Sequence, residues 1–487
     1  MDKILTNEDL APVTEKQKNW TSVNFFTLWV GMSVQIPTYM MASSLIEGGM
    51  NWLQALFTIF LGNLIVLIPM ILNGHAGVKY GIPYPVLARA SFGILGSNIP
   101  ALLRALVACG WFGIQTWIGG TAIYTLVLQL WPEAGTFTGE VLGVGLIPFV
   151  CFMIFWFINL FFVWQGVNSI KWLETFCAPF LILGGIALLY WAYMNAEGIT
   201  KVFQTTSQFQ TTSSFYQFFF PALTSIIGFW ATLSLNIPDF TRYAKDQRAQ
   251  ILGQMFGLPT TMTFFAFIGV AVTSSTLAIY GEAIWDPIVL IQKFDNPLIV
   301  IVSVITILMA TLTTNVAANV VSPANDFSNF SPKYINFRRG GFITGILGIV
   351  MMPWKLLADP TGYIFTWLIG YSALLGPIAG IILVDYFVIR RTVLNLEALY
   401  QREGVYHYFG GYNLKAIAAL ILGILPNIPG FLVQIKVCSP DSVLEYFVPF
   451  YHYAWFIGLF ISGISYGLMM LSEKLSTQIL EEQPAFA

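Results

Sequence analysis

Apolar residues run along this chain in long blocks, separated by short polar or Gly/Pro-rich pieces. A helix needs about 20 apolar residues to cross a hydrocarbon core about 30 Å thick. Blocks of that length predict twelve spans, over residues 22–43, 51–73, 98–130, 143–164, 171–195, 216–240, 251–280, 297–322, 341–358, 362–389, 412–435 and 447–471. We number them 1 to 12. The pattern predicts an all-α polytopic membrane protein with short loops. One block breaks the rule of uniform apolarity: span 8 carries Thr311, Thr313, Thr314, Asn315 and Asn319 in its middle. A polar group in hydrocarbon costs several kcal/mol unless something partners it, so such a row faces a neighbour, a cavity or a cargo.

The pieces between the blocks give an organisation. Residues 1–21 are polar and mixed in charge, without the basic start, apolar core and cleavage site of a signal peptide. Residues 22–195 form a first set of five spans, and 216–389 a second. The Thr/Ser/Gln-rich stretch 196–215 divides them as an external loop. A cytoplasmic loop at 390–411, two further spans over 412–471 and a disordered tail at 472–487 complete the reading. Segments 74–97 and 281–296 are expected to lie along the membrane interfaces. The two halves share a short string. Span 1 contains Gln35-Ile36-Pro37-Thr38-Tyr39 and span 6 contains Asn236-Ile237-Pro238-Asp239-Phe240. Proline kinks are common in membrane helices and can arise independently. Interrupted helices at matching places in two halves also mark a midplane site in an inverted-repeat transporter.

Composition and charge sharpen this. Of 487 residues, 56% are hydrophobic and only 9% charged, against roughly 25% charged in an average soluble protein. With the N-terminus in the cytoplasm, eighteen of the 22 basic residues fall on cytoplasmic segments. Only Lys201, Lys293, Lys355 and Lys436 fall outside. That bias places both termini inside and supports an even number of spans in a bacterial plasma membrane. Net charge is −2, and no nucleic-acid partner is expected. Cys109, Cys151 and Cys177 lie in apolar spans, leaving Cys438 without an external disulfide partner. His75, His407 and His452 are far apart, and no metal-ligand spacing appears.

Three spans carry residues suited to a cargo. In span 3, Trp111 and Gln115 are four apart and share a helix face. An indole stacks on a flat ring, and an amide both donates and accepts hydrogen bonds. Interhelical packing is the alternative use of both. In span 6, Gly228-Phe229-Trp230 precedes Pro238 by a few residues and suggests a locally unwound helix, with Trp230 placed to stack on the other face of a cargo held by Trp111. In span 8, Asn319 offers a second amide. Thr313 and Thr314 offer hydroxyls suited to a small hard cation, completed by carbonyls freed between Gly31 and Gln35. Back-bonding of each Thr to its own helix is the alternative. No GxxxxGK[ST] sequence is present, so ATP does not drive the chain directly. The carboxyls nearest mid-membrane, Glu174, Asp239 and Asp385, are not beside Trp111 or Asn319 in sequence, which favours cation binding at neutral oxygens over protonation as the coupling device.

These strings resemble the nucleobase:cation symporter-1 family, transporters of hydantoins, allantoin, uracil, cytosine and related vitamins. The similarity runs from Trp20 to about Tyr400. It is carried by residues 33–39, 90–93, 111–117, 236–242, 313–323, 352–355 and 376–380. The resemblance implies twelve spans with a leucine-transporter-type 5+5 inverted repeat and broken helices 1 and 6. By position it implies substrate contacts at Gln35, Trp111, Gln115, Gly228, Phe229, Trp230, Asn319 and Leu375, the last on an outer gating helix. It implies a sodium site from Gly31, Val34, Ala310, Thr313 and Thr314. The chain is most similar to bacterial allantoin-permease-like members. Some of those carry Asn at the Gln35 position, and the longer amide resizes the pocket.

The function expected is a secondary active symporter. It imports a small planar heterocyclic amide with sodium, by alternating access, as a monomer. A proton-coupled nucleobase or vitamin permease is the alternative, as is an amino-acid or amine transporter of the same architecture. An enzyme is not expected, because no His/Asp/Glu cluster falls within one leaflet.

Overall fold

The computed structural model describes residues 4–165, 182–196, 203, 206–360, 362–439 and 443–482; for Ala317 and 473–482 it describes the backbone alone. Expectations for 171–181, for 197–202 and 204–205 of the loop and for 483–487 lie outside those residues. Among the described residues, eight helices are long and apolar enough to cross a membrane. They are Trp52–Tyr80, Asn98–Leu130, Leu146–Gln165, Gln247–Tyr280, Pro297–Phe330, Gly362–Ile389, Leu414–Gln434 and Ala454–Ser472. The other four predicted blocks are also helical. Span 9 is Phe337–Val350, span 5 is described as Ile182–Asn195, and spans 1 and 6 are interrupted.

Local chemistry sets the ends and the breaks. Asn51, Asp246 and Asn296 each cap a helix by accepting a backbone N–H, which satisfies a donor the helix cannot use. Gly81 ends span 2 at φ +69°, a left-handed conformation that glycine adopts without strain. Span 1 is Ser22–Ser33 and then Ile36–Glu47, with Gln35 fully extended at φ −147°, ψ 157°. Pro37 lacks an N–H and disfavours helix at the residue before it, so the chain stops and restarts there. Span 6 is Thr212–Phe229, Ala231–Asn236 and Pro238–Thr241. Its first break is milder than the unwinding expected: one residue, Trp230, sits at φ −103°, ψ 3°. Span 8 breaks as well, at Val320. Pro323 cannot donate to the Asn319 carbonyl four residues back, and the ladder opens beside that residue. Span 10 is α-helical over Ile369–Leu383 and π-helical on both sides, at Gly362–Leu368 and Val384–Ile389.

Span 7 packs on spans 1 and 2, span 3 on spans 4, 8 and 9, and span 10 on span 12. Two expectations are corrected, and two segments expected at the interfaces are resolved in detail. In segment 74–97, span 2 runs on to Tyr80 and Tyr84–Phe92 is buried against the protein at all nine positions. Segment 281–296 likewise buries Pro287, Ile288, Leu290 and Ile291. Arg104, counted with the loop cations, is buried inside span 3. The last helix continues to Glu482, past the boundary at 471.

The N-terminal segment is tied across the end of the bundle where the basic residues gather, which we call the basic end. The carbonyls of Leu5, Asp9 and Leu10 each accept a hydrogen bond at 2.8 Å, from Arg89, Arg242 and the Tyr400 hydroxyl. Burial pulls the Arg89 guanidinium down to about 10, and burial pushes the Asp9 carboxyl up against the pull of Arg242.

Candidate functional site

Trp111 and Gln115 project from one face of span 3 into the packed centre, at 5% and 0% exposure. Four rings surround the Trp111 indole. Phe229 of span 6 lies at 5.1 Å between centroids; Trp367, Tyr363 and Tyr371 of span 10 lie at 5.9, 6.4 and 6.4 Å. All four meet it edge to face, the arrangement a ring quadrupole prefers. Tyr363, Trp367 and Tyr371 are four apart, so span 10 offers them from one face.

Span 10 is fastened to the breaks. The Tyr371 hydroxyl donates to the Gly228 carbonyl at 2.8 Å, and the Tyr363 hydroxyl donates to the Pro37 carbonyl at 3.3 Å. Gly228 permits this close approach: a Cβ there would meet the Leu368 carbonyl oxygen at 2.6 Å.

Across from Gln115 stands the break in span 1. Gln115 Nε2 donates to Gln35 Oε1 at 2.6 Å, joining side chains eighty positions apart. Gln115 Oε1 is buried with no hydrogen-bond partner, and so is Trp230 Nε1. Such atoms are rare in folded proteins and each calls for a partner. Trp230 meets Phe229 at 5.0 Å and Trp29 at 5.1 Å, both near edge-on. The two indoles expected to clamp a cargo therefore share Phe229 as a common neighbour, and both are buried rather than turned to lipid.

Asn319 donates to Asn315 Oδ1 at 3.1 Å. Asn315 in turn donates to the Phe112 carbonyl, Thr116 Oγ1 and Asn159 Oδ1. Asn315 is thus interhelical glue between spans 3, 4 and 8, and it holds Asn319 next to the break at Val320. Leu375 is fully buried in the α-helical part of span 10, one turn beyond Tyr371.

For the cation, the structure brings Val34 and Ala310 into one apolar cluster, so the span 1 break meets span 8. Thr313 back-bonds to its own helix, donating to the Ala310 carbonyl at 2.8 Å. Thr314 does not: its hydroxyl is buried without a partner. Beside Gly31 there is open space, with nothing within 4 Å of a Cβ position. A hard cation fits oxygen donors of this kind.

Reasoning from sequence missed the aromatic face of span 10, although its four-residue spacing was visible. It also missed Arg104 and Asp326, which pair at 3.1 Å fully inside the bundle. A large crevice of about 750 Å³ lies elsewhere, between apolar side chains of spans 4 and 9 such as Trp156, Phe161 and Phe342. It has no polar lining that would read a heterocycle.

Comparison with known proteins agrees with this architecture. A family model described as a permease for cytosine/purines, uracil, thiamine and allantoin matches residues 12–458. The allantoin permease of Bacillus subtilis is 44% identical, over 96% of this chain and 93% of its own length. The purine-uracil permease NCS1 of Arabidopsis thaliana is 47% identical, over 99% of this chain and 81% of its own. Among solved structures, Mhp1, described as a nucleobase-cation-symport-1 family transporter in a closed conformation with bromovinylhydantoin bound, superposes with a TM-score of 0.76 at 25% identity, covering 96% of each chain.

Proposed function

This chain belongs to the family of permeases for cytosine/purines, uracil, thiamine and allantoin, and on that premise we propose that it imports a small planar heterocyclic amide together with sodium. Allantoin, a hydantoin or a nucleobase such as uracil has the right chemistry. A permease moves its substrate unaltered through a membrane-embedded helical bundle, so the residues need only bind, select and release.

One observation carries the reading. Trp111 stands inside a box of rings while Gln115, one turn along the same face, presents a buried carbonyl oxygen with nothing to accept from. A flat ring stacks on the indole, worth roughly 0.5–1.5 kcal/mol beyond burial. A ring N–H supplies the donor that Gln115 Oε1 lacks, and the Trp230 N–H can donate to a ring carbonyl. An apolar ring of the same size leaves both atoms unpaired, at about 1–3 kcal/mol each. Gln35, Gly228, Phe229, Asn319 and Leu375 complete the contact set in this reading.

Sodium is the co-substrate best suited to the Thr314 hydroxyl, with Thr313 and the carbonyls of Gly31, Val34 and Ala310 as the remaining oxygens. One sodium ion moving down a potential of about 100 mV releases about 2.3 kcal/mol. That supports roughly 40-fold accumulation of the substrate. Alternating access opens the site to each side in turn. The basic bias supports cytoplasmic termini, in a plasma membrane, and in this reading the protein works as a monomer.

The test is a thermal-shift screen of the purified chain against hydantoins, allantoin, uracil and cytosine, with and without sodium. Binding to the folded state raises the melting temperature by mass action. We expect at least one heterocycle to do so, and more strongly with sodium. No shift with any heterocycle would overturn the substrate class, and shifts indifferent to sodium would overturn the ion.

A further inference from the structure

The crevice between spans 4 and 9 is too apolar to read a heterocycle, but its surroundings select another occupant. Trp156, Phe157, Phe161 and Trp164 of span 4 and Phe342 of span 9 line a space of about 750 Å³. Phe157, Phe161 and Trp164 lie at successive turns of one helix face, and each is more than half exposed. Among the described residues the crevice therefore opens outward, towards lipid. Its floor is packed protein. The Trp156 indole N–H donates to the Gly345 carbonyl at 2.8 Å, and Leu160 and Val163 are buried against span 9. From Trp156 to Trp164 the helix rises about 12 Å. That is close to half of a hydrocarbon core about 30 Å thick. The crevice thus spans roughly the depth of one leaflet, and it runs up to the basic end.

At that end the charge is one-sided. The Arg338 guanidinium lies over the Trp164 ring, 5.4 Å from its centroid, so a cation sits on the last wall of the crevice. Arg339 is next in sequence and donates to the Tyr334 carbonyl at 2.5 Å. Lys333 lies over the Tyr334 ring at 5.1 Å. All three cations are exposed, and among the described residues none of them forms an ion pair. The chain carries no Asp or Glu from residue 327 to residue 358. Charge decides between occupants. A second copy of this chain, docked through the same face, would bring two sets of these cations together. An uncharged lipid would leave them without a counter-ion. An acyl chain that ends in an anionic headgroup satisfies both the aromatic walls and the cations.

We propose that spans 4 and 9 bind one anionic glycerophospholipid from the leaflet at the basic end. Its acyl chain lies along the aromatic walls, and its phosphate sits among Arg338, Arg339 and Lys333. A guanidinium presents a planar fork of N–H donors that matches phosphate oxygens. Each cation beside an anionic headgroup is worth roughly fivefold in affinity. The site shares no residue with the ring box or the sodium oxygens, so it stands or falls independently of the transport reading.

Native mass spectrometry of the purified full chain tests this, with dioleoyl phosphatidylglycerol and dioleoyl phosphatidylcholine added in turn. The two lipids have the same chains and differ in net charge. The wild type should bind one phosphatidylglycerol, and phosphatidylcholine roughly fivefold or more weakly. Equal binding of the two lipids would overturn the proposal. The double variant Arg338→Gln, Arg339→Gln should lose most of that preference. Both side chains are exposed, so its melting temperature should stay near that of the wild type. Arg391→Gln is the control, since Arg391 is an exposed cation of the 390–411 loop, and it should keep the preference. A double variant that keeps it, or an Arg391→Gln that loses as much, would show that diffuse surface charge alone attracts the lipid and would overturn the site. Ile158→Trp fills the crevice and leaves the cations in place; it should weaken binding of both lipids, and unchanged binding would overturn the placement of the acyl chain. A dimer that Ile158→Trp dissolves and phosphatidylglycerol does not would make a second copy the occupant, and the proposal would fall.

Discussion

Gln115→Leu separates reading a substrate from holding the bundle together. Gln115 is fully buried, donates to Gln35 at 2.6 Å and leaves its own oxygen unpaired. Leucine has nearly the same volume, so the cavity term is small. Two polar terms oppose each other in the ligand-free protein. Gln35 Oε1 loses its donor, at about 1–3 kcal/mol, while removal of the unpaired Gln115 Oε1 relieves a cost of similar size. Melting temperature should therefore change little. Binding has no such compensation, because the substrate N–H loses its acceptor. A loss of about 1–3 kcal/mol corresponds to roughly 5- to 140-fold weaker affinity. Radioligand binding to the purified chain measures this, with the panel heterocycle that stabilises the wild type best. The double variant with Gln35→Leu should lose less than the two single losses combined, since the amides act as one unit. Affinity within about twofold of wild type would refute the claim that Gln115 reads the substrate edge.

Two further outcomes are expected. Thr314→Ala should abolish the sodium enhancement of substrate binding while leaving sodium-free affinity within about threefold, as read by binding isotherms with and without sodium. Thr313→Ala, whose hydroxyl bonds its own helix, should do less; equal effects would undo the distinction between them. Gly228→Ala should lower the melting temperature, because the added methyl meets the Leu368 carbonyl at 2.6 Å and overpacking costs about 1–3 kcal/mol. An unchanged melting temperature would show that spans 6 and 10 can separate freely.

The spans were legible because hydrocarbon imposes one strong condition, a long apolar run, that neighbouring helices do not alter. The break at Gln35 was legible from Pro37 for the same reason: a proline's missing N–H acts locally. The break at Val320 rests on equally local chemistry, yet Pro323 lies just beyond the predicted span and went unread. What sequence did not disclose depends on contacts between distant segments. Tyr363, Trp367 and Tyr371 look like ordinary apolar-helix residues until span 10 is laid against Trp111. Gln35 and Gln115 were each noted, but their mutual hydrogen bond required the fold. Arg104 illustrates the opposite error. A cation near a span end reads as a loop charge, and only its pairing with Asp326, more than two hundred residues away, makes burial tolerable. Arg89 is the same case: it was counted with the loop cations, yet it is buried and finds its acceptors inside.

A structure of the chain with a stabilising heterocycle and sodium bound tests the central claim most directly. The account predicts the ring stacked on the Trp111 indole, with its edge within hydrogen-bond distance of Gln115. A ligand seated anywhere else, with Trp111 still packed among Phe229, Trp367 and Tyr371, would contradict it.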